Sequence, residues 1–307
     1  MDRAQIIEGL EKQNRDFTKA LLEELENQKF NFPEINKIHK NHLDKKLIVR
    51  HALPFCITER TFFGEPANVD FFTNIILLHT LALTRIDDYY DGKNDNIKVE
   101  NLAYALSVTH TAISKIVGSD FTNKQMKDLI DITKFVHARM FKDSLERYDE
   151  KFLHNPRKNL NSYLTSPKSR IFASGYWEVM ARASFVSRGK NFPWVLHSLN
   201  EKLRKLRQVV DEYFDVEEDL RGGLVTLPTL YVLANSERSN EFKEQIIEFW
   251  HGGSEPILSE FLEETNVKDW MKNLAKNIYS SAITELKLIE KDAGYKNLFD
   301  YKLAKII

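Results

Sequence analysis

An all-α fold, one bundle of ten or more helices, is what this 307-residue sequence predicts. Three observations predict it. Eleven glycines and eight prolines are about half of ordinary usage, so turns are few and helices long. Apolar residues recur at three- and four-residue spacings along most of the chain. No stretch alternates as a strand would, and no repeat or low-complexity linker divides the chain, so 1–307 is expected to form a single domain.

Ile6, Ile7, Leu10, Phe17, Leu21, Leu22 and Leu25 keep helical spacing, which predicts an amphipathic helix over 2–28. The polar segment NFPEINKIHKNHLDKK carries Pro33 and is expected to be a connection. Leu47 to Phe63 is expected to be helical despite Pro54, with a break at Gly64-Glu65-Pro66. Asn68 or Asp70 caps the next helix, FFTNIILLHTLALTRIDDYYD, which is apolar nearly all round and belongs in the centre of a bundle. Gly92 stops it. Helices are expected over 99–117 and from Asn123 to about Phe152, then a polar break at HNPRKN. One over Tyr163 to Phe185 bears the aromatic stripe Phe172, Tyr176, Trp177 and Phe185, with Gly175 as a point of relaxation. A helix from Trp194 to Arg221 comes next, then shorter ones near 226–235, 239–251 and 255–264 and a long one around 267–293.

The formal net charge of −1, with basic residues scattered, gives no reason to expect a nucleic-acid partner or an anionic membrane surface. The longest apolar run, IILLHTLAL, is too short to span a bilayer. The first residues are amphipathic and charged, unlike a signal peptide. Cys56 is the single cysteine. It excludes an intrachain disulfide, suits a cytoplasmic protein, and is expected to be a small buried hydrophobe beside Phe55.

Two acidic clusters stand out. Asp211, Asp215 and Asp219 recur every four residues and form one ladder on a helix, with Glu212 and Glu218 beside it. Like charges at that spacing repel. Asp87, Asp88 and Asp91 lie at the C-terminal end of the most apolar helix, where the dipole disfavours carboxylates. A lone cluster of this kind is common on solvated helix faces. Two of them on helices too apolar to be surface helices point to a site. Facing each other, their oxygens would suit Mg²⁺, which takes one or two carboxylates together with phosphate oxygens and water. The implied ligand is a diphosphate.

Together the clusters resemble the two aspartate-rich motifs of the trans-isoprenyl diphosphate synthases and their class I terpene synthase relatives. Gln208, Asp211, Glu212 and Asp215 match the second motif, with Glu212 for an aspartate and Arg207 for a phenylalanine. Thr226-Leu227-Pro228 matches the segment after it. The resemblance implies an isoprenoid synthase bundle around a central cavity, binding an allylic prenyl diphosphate through Mg²⁺, three ions in all. It implies Asp87, Asp88, Asp91, Asp211, Glu212 and Asp215 as metal ligands and Lys168 as a diphosphate ligand. Arg85, Arg170, Arg204 and Arg221 are further basic candidates, with Gln208 beside them. Arg204 lies two turns before Asp211 on the same face; a solvated surface arginine is the alternative. The stripe Phe172, Tyr176 and Trp177 would shield an allylic cation, or is ordinary core. A homodimer is compatible with the sequence.

The departures count too. GKNDNIKVE contains no arginine where the family carries Arg-Arg-Gly, and Leu224 replaces a lysine before Thr-Leu-Pro. The early Gly-Lys-Arg segment is only echoed by DKKLIVRHALP. His79 stands where the family often has His or Gln, but with one residue too many before Asp87, and is expected to be a core histidine. Ala82 and Leu83 are expected near the cavity floor. The departures favour cyclisation or elimination of the ionised substrate. The alternatives are a prenyltransferase with an altered acceptor site, served by Lys45, Lys46 and Arg50, and a catalytically silent helical partner subunit.

Overall fold

The structure, a computed structural model, describes residues 8, 12, 15–43, 55–64, 69–82, 84–86, 95–118, 120–131, 134, 138, 149–165, 176–257, 259–289, 296, 297, 299, 300 and 303; of 79, 80, 95–98, 176, 177 and 259 it describes the backbone alone. The described residues hold more than ten α-helices and no strand. None of those helices is long and apolar enough to cross a membrane. The chain divides into two compact units, each assembled from three separate segments.

The first unit contains α1 (Arg15–Glu26), α2 (Pro33–His42), α3 (55–63), α4 (Val69–Ile76), α5 (Asp95–Val117), α6 (123–131) and α8 (Tyr176–Ser187). Phe71 to Ile76 of α4 are all buried, as its all-round apolarity predicts, and α1, α5 and α8 pack on it. Cys56 is fully buried beside Phe55. The expected connection from Asn31 instead contains α2. Pro33 sits at its start, where a proline costs no hydrogen bond, and Ile35 and His39 share its buried face. His39 is held at both ring nitrogens: Nε2–H donates to the Leu25 carbonyl and Nδ1 accepts from the Tyr104 hydroxyl, both at 2.8 Å. Buried Glu59 of α3 takes Ser184 of α8 and Arg188, just past the end of that helix, the latter at 2.6 Å.

After α4 the chain makes a π turn, Leu77–Leu81, closed by the Ala82 N–H on the Leu77 carbonyl five residues back. Such a turn houses one residue more than an α turn. The one-residue surplus between His79 and Asp87 therefore coincides with a place where the helix absorbs one. Helix resumes at 82 and 84–86. Ala82 is fully buried; Leu83, Asp87, Asp88 and Asp91 lie outside the described residues.

The second unit contains α7 (Pro156–Thr165), α9 (Trp194–Phe214) from Ser198 on, α10 (Val216–Arg221), α11 (Leu227–Asn235), α12 (Ser239–Trp250), α13 (Ser259–Thr265) and α14 (Val267–Leu286). Three boundaries differ from expectation. The polar break before residue 160 is only two residues long, with Asn155 left-handed, because Pro156 again opens a helix. Tyr163 therefore lies inside α7, two turns after its start at Pro156, rather than at the start of a helix. The helix from Asn123 does not reach Phe152, which belongs to a 3₁₀ turn, Glu150–Leu153. α11 is the hub: seven of its nine residues are buried, and it packs on α7, α10, α12, α13 and α14. Arg157 Nε donates to its Ala234 carbonyl at 3.1 Å, and Tyr231 stacks on Trp270 at 3.9 Å.

Candidate active site

α9 carries the second acidic cluster. Leu196, Leu199, Leu203, Leu206 and Val210 recur at three and four residues and are buried, which fixes the rotation of the helix. The expected continuous helix to Arg221 is interrupted. α9 ends at Phe214, Asp215 adopts φ −96° and ψ 5°, and α10 begins at Val216. The interruption has an electrostatic advantage. Glu217, Glu218 and Asp219 become first-turn residues of a new helix, where negative charge is favoured, instead of stacking on one already acidic. The three-rung ladder is thus broken. Asp215 is exposed, Asp211 is partly exposed, and Asp219 is buried.

Asp211 accepts a hydrogen bond from Arg207 Nε, one turn earlier, at 3.2 Å. Glu212 is almost wholly buried and spends its oxygens on the protein. Its Oε1 accepts from the Tyr163 hydroxyl at 2.6 Å and from Gln208 Nε2 at 2.8 Å. Its Oε2 accepts from the Leu227 amide at 2.7 Å. That amide is in the first turn of α11, so the carboxylate also meets the positive end of a helix dipole. Glu212, expected among the metal ligands, ties α9 to α7 and α11 through these bonds. Gln208, expected at the substrate, is its partner.

The loop between α10 and α11 is equally determined. Gly223 sits at φ +60°, and a Cβ there would meet Trp250 Nε1 at 3.0 Å. The Leu224 amide returns to the Asp219 carbonyl at 2.8 Å, and Thr229 Oγ1 donates to the Leu224 carbonyl at 2.5 Å.

The basic candidates separate. Arg204 is 2% exposed, so it is not a solvated surface arginine, and Glu201 Oε1 lies 3.8 Å from its guanidinium. Lys205 beside it has its ammonium pushed below the usual lysine range by burial, which Glu201 opposes. Arg221 is exposed in the last turn of α10. Arg85 is half-buried in the first unit. Lys168, Arg170 and Phe172 lie outside the described residues, as do the side chains of Tyr176 and Trp177. Phe185 packs among Phe62, Phe63 and Phe192 as core.

Among the described residues no group of three or more His, Cys, Asp or Glu is placed to hold a metal ion. Asp211 and Asp215 offer two hard oxygen donors, the number Mg²⁺ takes when phosphate and water complete its shell. Sequence reasoning did not connect Tyr163 or the Leu227 amide with the site. Their only signal was Thr-Leu-Pro, which marks the start of α11.

Among the solved structures to which the chain is similar along its whole length are three prenyl synthases. One is a polyprenyl synthase from Caulobacter crescentus CB15 complexed with calcium and isoprenyl diphosphate: TM-score 0.74, 15% identity, 99% of this chain and 98% of that one. Another is a decaprenyl diphosphate synthase from Rhodobacter capsulatus: TM-score 0.72, 14% identity, 98% of each chain. The third is a geranylgeranyl pyrophosphate synthase from Lactobacillus brevis ATCC 367: TM-score 0.67, 16% identity, 99% of each chain. No family model and no curated protein matches the sequence. The fold is that of the trans-isoprenyl diphosphate synthases.

Proposed function

We propose that this chain is an enzyme that binds an allylic prenyl diphosphate through Mg²⁺ and transfers its prenyl group. The observation that carries the reading is the pairing of that fold over the full chain with Asp211 and Asp215 at the end of α9, beside a carboxylate locked by three hydrogen bonds. Asp87, Asp88 and Asp91 are proposed as the other metal ligands, and the chain as a single catalytic domain. Bound Mg²⁺ would offset the charge that develops on the leaving diphosphate. The protein's own share is positional. Glu212 fixes the rotation of α9 and the start of α11, so Asp211 and Asp215 are presented without reorganisation. Arg207 holds the Asp211 carboxylate and adds positive charge beside it. Lys168 and Arg170 are proposed for the diphosphate, and Phe172, Tyr176 and Trp177 to keep water from an allylic cation.

Transfer to an acceptor is preferred because the similar solved structures are prenyl diphosphate synthases. Cyclisation or elimination is the second reading, supported by the missing arginines in GKNDNIKVE and by Leu224. The two are separated by incubating the protein with Mg²⁺ and C10, C15 or C20 allylic diphosphates, with and without isopentenyl diphosphate. A longer prenyl diphosphate formed only with both substrates is the expected product. A hydrocarbon or alcohol formed without isopentenyl diphosphate supports the second reading. No turnover with any pairing, and no Mg²⁺-dependent rise in Tm with inorganic pyrophosphate, defeats both and leaves the silent partner subunit.

A further inference from the structure

We infer that Arg204 closes the hydrocarbon side of this site two turns beneath Asp211 and restricts it to a short allylic chain, of ten carbons rather than twenty. The inference rests on the reading of Asp211 and Asp215 as the diphosphate end. Seven residues separate Arg204 from Asp211, so the two lie within about 20° of one line along α9 and about 10 Å apart along its axis. The residues between them on that face are drawn towards the acids: Arg207 bonds to Asp211 and Gln208 to Glu212. The next side chain down is therefore Arg204. It heads the large fully buried side chains of the described residues, at 2% exposure. Burial that complete means that protein atoms fill the space around the guanidinium, so at that depth the face offers no open volume.

Chemistry reinforces the bulk. Side chains on a helix lean towards its N-terminus, which carries the guanidinium further below Asp211. Asn200, one turn lower on the same face, is 1% exposed, so the face stays polar beneath it. A prenyl tail that reached this level would have to displace a buried charge from its surroundings and pack against it, and burying a charge without polar partners is strongly unfavourable. A tail that ends above Arg204 meets neither cost.

The experiment measures binding without turnover. Wild type, R204A and R204M are titrated by calorimetry, with Mg²⁺ present, against inorganic pyrophosphate and against C10, C15 and C20 allylic thiolodiphosphates, which do not ionise readily. Wild type is expected to bind the C10 compound about tenfold or more tighter than the C20 compound. R204A is expected to bring the two within about twofold, while its affinity for pyrophosphate stays at the wild-type value. R204M removes the charge with a smaller loss of volume and moves the ratio in the same direction; it serves if R204A does not fold. Equal affinity of wild type for all chain lengths overturns the inference, as does an unchanged ratio in a folded variant. Weakened pyrophosphate binding in R204A or R204M overturns it too, since Arg204 would then act at the diphosphate. Wild type that fails to bind pyrophosphate removes the reading of the acids and this inference with it. Pyrophosphate binding with an unchanged chain-length ratio removes this inference alone.

Discussion

Glu212 shows what a single side chain does in this protein. One residue along the helix, Asp211 is partly exposed and paired with Arg207; Glu212 is buried and receives three donors. The extra methylene of glutamate provides the reach from α9 to the Leu227 amide, which an aspartate would have to span with a shorter arm. E212A is expected to lower stability by about 3 kcal/mol, since buried donors lose a charged acceptor. E212D should cost about half of that, and Y163F should add little once Glu212 is gone. Urea unfolding of the single and double variants checks these values. His39 gives a pH dependence. Burial holds its imidazole below the usual histidine range, and the Leu25 carbonyl only partly offsets this. The folded state therefore binds fewer protons than the unfolded chain below the ordinary histidine pKa of 6.5. Its contribution to stability is complete above that value and declines as pH falls. Wild type should lose more Tm between pH 7.5 and 5.5 than H39Q, whose baseline is lower but flatter; equal slopes would contradict the assignment.

Element by element, the sequence was legible where the signal is local. The apolar runs of α4 and α11, the break at Gly189 to Pro193 and the loop at Gly222-Gly223 all come from periodicity and from residues that favour a stop. Proline is an ambiguous signal at α2 and α7. In both helices Pro opens the element, and the same residue type marks a break or a beginning according to whether the residues on its C-terminal side can continue a helix. The interruption at Asp215 also escaped the pattern, because spacing carries no information about the energy of stacking carboxylates. The π turn at Leu77–Leu81 is a comparable case: a surplus residue was visible, its accommodation was not. Deleting Thr80 should let the helix close with regular hydrogen bonds while both flanks keep their places, at a cost of no more than about 2 kcal/mol. Deleting Thr73, fully buried in α4, should rotate a buried face by about 100° and unfold the first unit. Circular dichroism and thermal melts of the two deletions distinguish these outcomes.

At the scale of the molecule, the sequence alone determined that the fold is all-α, that α4 and the helix bearing Asp211 are core elements, and that acidic residues gather in two clusters 124 positions apart. Those properties depend on residues within a few turns of one another, where helical periodicity makes spacing equivalent to geometry. Only the tertiary structure decided which carboxylate is a bracket and which remain presented. Tyr163 and Glu212 are 49 residues apart, and nothing near either announces the other. Likewise, position on α9 put Arg204 on the face of Asp211 but left open whether water or protein surrounds it. Burial is a property of everything that packs around a residue, so it is settled by the whole chain.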